Sequence, residues 1–162
     1  EAMKWIFRYL RGTIKLCLRF GEGEAELQGY SDVDLGGDSD SMKSTTGYLM
    51  TLVGGAIAWQ SRLQKCVALS TIEAKYITAT EVYKELLWMK MFLQEIDHEQ
   101  DKYELKCDNQ SAIYLARNSM YHSRTKHIDV RYHWIRDMVE DGQLTLGKMH
   151  TSQNWSDMMT MP

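Results

Sequence analysis

The stretch Tyr103-Glu104-Leu105-Lys106-Cys107-Asp108-Asn109-Gln110-Ser111-Ala112 changes its period in the middle. Residues 103–107 read as a strand and residues 110–117 as a short helix. Asp108 and Asn109 sit at the switch, where both side chains favour turns and caps. A second acidic run, G-Y-S-D-V-D-L-G-G-D at residues 29–38, closes another strand-like segment, and Asp157 lies far downstream. Carboxylates at strand ends and helix starts, distant in sequence, are the material of a two-metal phosphodiester site. Such a site needs hard oxygen ligands for two Mg²⁺, with Mn²⁺ as a possible substitute, at roughly 3.5–4 Å separation.

Outward from residue 103 the chain alternates strand and helix signals. Residues 27–33, 46–53 and 56–61 predict three strands joined by a loop over residues 36–44 and a tight Gly54-Gly55 connection, an antiparallel meander. The longest helical period runs over residues 71–96, through Ile72, Tyr76, Ala79, Val82, Tyr83, Leu86, Leu87 and Leu93. Ser70 or Thr71 can cap it, and Glu73 sits in its first turn, where the exposed amides favour an acid. Beyond residue 117, a helix over 128–139, a strand over 144–149 and a final helix from Asn154 complete the order βββαβααβα. That order predicts an α/β fold with a five-stranded mixed sheet flanked by helices, the first three strands antiparallel. At the N-terminus, Trp5, Ile6, Tyr9 and Leu10 follow helical spacing up to Gly12, residues 13–20 alternate like a strand, and residues 21–23 predict a turn.

The composition is that of one globular domain. Of 162 residues, 44% are hydrophobic and 25% charged, enough to build a core and too apolar for disorder. No run of about 18 apolar residues predicts a membrane span, and the N-terminus has no signal-peptide pattern. The three cysteines, Cys17, Cys66 and Cys107, form no C-x-x-C pair and read as reduced thiols in a cytosolic or nuclear setting. A net charge of −3 argues against a free-standing nucleic-acid binder. A tethered domain need not supply its own affinity, however, and acids gathered around metal ions are neutralised by them.

The motifs G-Y-S-D-V-D-L-G-G-D (residues 29–38), S-T-T-G-Y-L (44–49), G-G-A-I-A-W-Q-S-R-L-Q-K-C-V-A-L-S-T-I-E-A-K-Y (54–76), C-D-N-Q-S-A-I (107–113), H-S-R-T-K-H-I-D-V-R-Y-H-W-I-R (122–136) and S-D-M-M-T (156–160) occur in that order. Together they resemble the ribonuclease H domain of plant copia-type LTR retrotransposon Pol polyproteins, of the tobacco Tnt kind. K-W-I-F-R-Y-L-R-G-T (4–13) resembles the tail of the reverse transcriptase that precedes that domain. The resemblance implies two parts: residues 1–23 from the reverse transcriptase tail, and residues 24–162 an RNase H-like domain cut short in its last helix. It also implies an intracellular protein, in a cytoplasmic virus-like particle or the nucleus. The implied activity is hydrolysis of the RNA strand of RNA–DNA hybrids, alongside the reverse transcriptase domain of the same polyprotein. Asp32, Asp108 and Asp157 would be metal ligands. Asn109, Gln110, Ser111, Arg124, Lys126 and Arg131 would contact nucleic acid through phosphates and 2′-hydroxyls.

The family string E-A-E-Y carries a metal-binding glutamate where this chain has Lys75. An ammonium has no lone pair for a cation and exchanges −1 for +1 beside the proposed metals. Glu73 is the replacement candidate for the catalytic set, although two residues along a helix turn the side chain by about 200°. Lys75 therefore predicts an impaired nuclease, and the rival reading is a non-catalytic connection module of the same fold. Asp34 competes with Asp32, since alternation puts both on one face; the resemblance favours Asp32 and leaves Asp34 and Asp38 to the loop. Leu35 and the Trp155-Ser156 pair also depart from the family. His122, His127 and His133 are spaced by five and six, unsuited to a zinc pair on one helix face, and read as a helix edge or a hybrid-facing loop. Trp59, Tyr76, Trp88 and Trp134 read as core or half-buried packing, and Cys107 as a buried strand thiol.

Overall fold

Alternating residues in the first half of the chain form β1 (Gln28–Asp34), β2 (Thr45–Leu52) and β3 (Gly55–Leu63), an antiparallel meander. The structure is a computed structural model, and it describes residues 1–21, 25–100, 103–117 and 134–161. β4 (Glu104–Cys107) lies parallel to β1, and β5 (Thr145–Lys148) parallel to β4, giving the order β3-β2-β1-β4-β5. The α-helices among the described residues are α1 (Ala2–Thr13), α2 (Thr71–Glu95), α3 (Gln110–Arg117) and α4 (Trp134–Glu140). The expected mixed five-stranded sheet with its antiparallel first three strands is what the chain forms.

α2 supplies the largest part of the core. Ser70 caps it, its hydroxyl accepting the Glu73 N–H at 3.2 Å. The first half of the helix is buried nearly all round, and Tyr76, Ile77, Val82, Tyr83, Leu86 and Leu93 are the large apolar contributions of α2. They meet Met50, Leu105 and Leu146 from the sheet, Leu27 just before β1, and Ile135 from α4. Gly29 in β1 makes the closest approach possible: a Cβ there would lie 2.9 Å from Leu86 Cδ1 and 3.2 Å from Leu105 Cδ1.

The β2–β3 turn is Val53-Gly54, one residue earlier than the expected Gly54-Gly55, and places Val53 at φ 51° and Gly54 at φ 74°, the signature of a two-residue turn whose twist matches the strands. Glycine adopts this conformation freely, whereas a β-branched valine is strained in it. Val53→Asn is expected to raise stability by about 1 kcal/mol, read as a higher urea midpoint with an unchanged slope. A lower midpoint would mean that the valine side chain contributes more than its backbone strain costs.

Three expectations need correction. Residues 14–20 form no strand, because alternation supplies faces but no neighbour, and a strand is completed by a partner's hydrogen bonds. This segment is instead anchored by Gly21 N–H on the Val53 carbonyl at 3.0 Å and by Phe20 over Gly55. The final helix is a 3₁₀ turn at Asp157–Met159, with Met159 and Thr160 N–H groups bonded three residues back. Trp59 and Trp88 are exposed and outside the core; Trp88 stacks on Phe92 at 5.9 Å. A helix period or a strand alternation marks them as apolar without saying whether a layer covers that side. Of the helix expected over residues 128–139, residues 134–139 fall in α4 and the rest lie outside the described residues.

Candidate active site

The parallel register brings the two acidic strand ends together. Ser31 pairs with Cys107 across β1 and β4, so the next residues, Asp32 and Asp108, emerge side by side. α2 then crosses this edge and places Lys75 between them. Its Nζ donates to Asp32 Oδ1 at 3.5 Å and forms a second, closer ion pair with Asp108 Oδ1. All three side chains are largely buried, at 9%, 10% and 14% exposure for Asp32, Asp108 and Lys75.

The remaining carboxylate oxygens have donors as well. Thr160 Oγ1 lies 2.7 Å from Asp32 Oδ2 and 3.0 Å from the Asp157 carbonyl, and its single proton favours the charged acceptor. Thr151 Oγ1 donates to Asp108 Oδ2 at 3.4 Å. The C-terminal segment that carries these threonines is pinned by Asn154, whose Nδ2 donates to the Ser31 carbonyl at 3.1 Å. The Ser156 hydroxyl donates in turn to Asn154 Oδ1 at 2.6 Å. Gly47, opposite Asp32 in β2, makes room for it: a Cβ there would fall 2.6 Å from Thr160 Cγ2 and 2.9 Å from Met159 Cβ.

Comparison with known proteins then places the chain. It is 61% identical over 160 residues to the retrovirus-related Pol polyprotein from transposon TNT 1-94 of Nicotiana tabacum, covering 99% of this chain and 12% of that one. The chain belongs to the retrotransposon Pol family. The Pol polyprotein from transposon RE1 of Arabidopsis thaliana is 37% identical over 164 residues, all of this chain and 11% of that one. The segment therefore spans about one-eighth of the length of these curated relatives. An RNase H1 isolated from compost by a metagenomic approach superposes with a TM-score of 0.58 at 13% identity, over 83% of this chain and 92% of that one. The Pol segment thus has the RNase H fold. No family model matches it.

The other expected site residues of the Pol segment are placed as follows. Glu73 turns back toward the start of α2, its Oε2 accepting the Leu69 N–H at 2.8 Å while its own N–H is capped by the Ser70 hydroxyl. Asp157 sits on the 3₁₀ turn, and among the described residues no side-chain bond joins it to Asp32 or Asp108. Asn109 Oδ1 accepts the Ala112 N–H at 3.0 Å and caps α3, at whose start Gln110 is half-buried and Ser111 exposed. Asp38 builds its own loop: it accepts the Ser41 hydroxyl and, at 3.0 Å, the Ser41 N–H, and that hydroxyl bond holds its carboxyl below the usual range. Asp34 is half-buried at the end of β1. Cys107 is buried; burial pushes its thiol up, with the neighbouring Asp108 charge adding to the effect, so it is poorly suited to nucleophilic work. Arg124, Lys126 and Arg131, with His122, His127 and His133, lie outside the described residues.

The donor set does not fit two Mg²⁺ as folded. Among the described residues no group of three or more Asp, Glu, His or Cys side chains is placed to hold a metal ion. The two carboxylates that do converge already share an ammonium. Thr151, Asn154 and Thr160 were not singled out by sequence reasoning. Hydroxyls and amides at these positions carry no local pattern, and only the docking of the C-terminal segment gives them a role. No described helix is long and apolar enough to cross a membrane.

Proposed function

We propose that this segment is the RNase H portion of a Pol polyprotein in which metal-dependent cleavage of RNA–DNA hybrid is disabled by Lys75. The reading rests on one observation, the Lys75 ammonium bridging Asp32 and Asp108. A divalent cation entering this space would meet a tethered positive charge at contact distance, a repulsion that the low exposure of the three groups leaves poorly screened. Residues 24–162 form this unit, and residues 1–23 belong to the reverse transcriptase part. The exposure of every α1 residue but Thr13 supports that division, because a helix with no buried side chain is not packed into the core of the described residues. The working partners are an RNA–DNA hybrid and the neighbouring polymerase domain.

The test is cleavage of an end-labelled RNA–DNA hybrid, with Mg²⁺ and separately with Mn²⁺, by the natural chain and by Lys75→Glu. The expected result is no cleavage by the natural chain and metal-dependent cleavage by the variant. Turnover by the natural chain at rates equal to the variant's would overturn the proposal. If neither folded protein cuts, the lesion extends beyond residue 75, and the segment is a connection module that holds hybrid without hydrolysing it.

A further inference from the structure

A cleft of about 510 Å³ opens beside the carboxylate pair, lined by Tyr30, Lys106, Lys148, Ser152, Gln153 and Trp155, with Met149. Its floor is the register pair Tyr30 and Lys106 on β1 and β4, while the Glu104 carboxylate covers Gly147 on the next strand. Tyr30 and Lys106 are held in place from the side by Gln28 on the same sheet face, since the Tyr30 hydroxyl and Lys106 Nζ each donate to Gln28 Oε1 at 3.0 Å. Lys106 Nζ also lies 5.7 Å from the centre of the Tyr30 ring. Trp155 stacks on Tyr30 with centroids 5.1 Å apart and planes inclined by 26°, while half of its surface, 49%, remains open to solvent.

The charge of the cleft runs against that of the chain. None of its lining residues is acidic, although the chain carries −3 overall. Glu104 approaches Lys106 at 3.5 Å and partly compensates it. Among the described residues no carboxylate lies within ion-pair distance of Lys148, which is exposed at the rim. A rigid aromatic step flanked by an unpaired ammonium suits a ligand that alternates flat rings with anions. We infer that this cleft binds a single strand of nucleic acid, one base stacking on Trp155 and the adjoining phosphates meeting Lys148 and Lys106. Stacking is tolerant of sequence, so the site would hold DNA and RNA alike. The cleft adjoins the carboxylate pair: Tyr30 and Lys106 each stand two residues before a carboxylate, and Ser152 follows the Thr151 that bonds Asp108. A strand lying in it would run past the two carboxylates.

This inference takes its ligand class from the proposed function but requires neither cleavage nor metal. Its test is fluorescence anisotropy of labelled oligo(dT) and oligo(U) with the full chain, in EDTA, at several salt concentrations. Lys148→Glu is compared with Lys65→Glu, an equal charge change at an exposed position outside the cleft, and Trp155→Ala with Trp155→Phe. Trp155→Ala is expected to weaken binding about tenfold and Trp155→Phe much less. Lys148→Glu should reduce the salt dependence by about one released counterion, while Lys65→Glu leaves it nearly unchanged. Equal losses in the two lysine variants, equal affinities for Trp155→Ala and the natural chain, or no binding at low salt would each overturn the inference. Failure here leaves the hybrid-cleavage result untouched, so the two readings fall separately.

Discussion

Lys75→Met is expected to cost about 3 kcal/mol of folding stability, and Mg²⁺ is expected to restore part of it in the variant alone. The methionine keeps an unbranched stem and removes the charge together with its N–H donors. Asp32 and Asp108 are then left side by side without their shared counter-ion, each nine-tenths buried. Removing one partner of a buried ion pair typically costs 3–5 kcal/mol, and the threonine hydroxyls that remain, Thr151 and Thr160, hold the loss to about the lower end. In the natural chain the tethered ammonium already occupies the gap, so adding Mg²⁺ should leave the urea midpoint unchanged. In the variant the gap accepts a cation, and binding at about 100 times its dissociation constant would return about 2.7 kcal/mol. Urea unfolding with and without Mg²⁺ checks both halves. A variant as stable as the natural chain, or a natural chain that gains as much from Mg²⁺, would show that Lys75 is not the counter-ion. Lys75→Arg, which keeps the charge, serves as the control.

Much of this arrangement could be read from residues alone, and the exceptions share a cause. β1, β2, β3 and α2 are legible because their periods are long and are bounded by glycine pairs or by a cap. Residues 13–20 alternate just as cleanly and form no strand. Alternation describes one chain, whereas a strand is a property of two. Trp59 and Trp88 fail for a related reason: an aromatic residue announces surface that could be covered, not that a layer is present to cover it. At the site, the pairing of Asp32 with Asp108 came from family resemblance, because alternation alone left Asp32 and Asp34 equivalent. The Ser31–Cys107 register then gives a physical reason why Asp32 stands beside Asp108. Residue 75 was legible as a charge conflict. Its outcome, an ion bridge, depends on how far a four-carbon stem reaches from α2, which no pattern encodes. Thr160 and Asn154 reach Asp32 and Ser31 across more than 120 residues of chain, and nothing in their own neighbourhoods signals it.

The α2–sheet contact at Gly29 gives the second large effect, and it can be dissected by a cycle of substitutions. Leu86 is fully buried, and its Cδ1 fills the space left by the missing side chain of Gly29. Leu86→Ala alone is expected to cost about 3 kcal/mol, within the range for a leucine whose removal leaves a cavity lined by rigid neighbours. Gly29→Ala alone inserts a methyl where the nearest atoms lie 2.9 and 3.2 Å away. Overpacking should cost about 1–2 kcal/mol, even though alanine in a strand reduces the entropy lost on folding. In the double variant the new methyl enters the cavity left by Leu86, so the two losses should not add. The combined cost is expected to fall short of the sum by about 1 kcal/mol or more, well outside the scatter for independent sites. Additive losses measured by urea unfolding would mean that α2 shifts to refill the gap in each single variant. In that case its position over β1, and with it the reach of Lys75 to the carboxylates, would be set elsewhere along the helix.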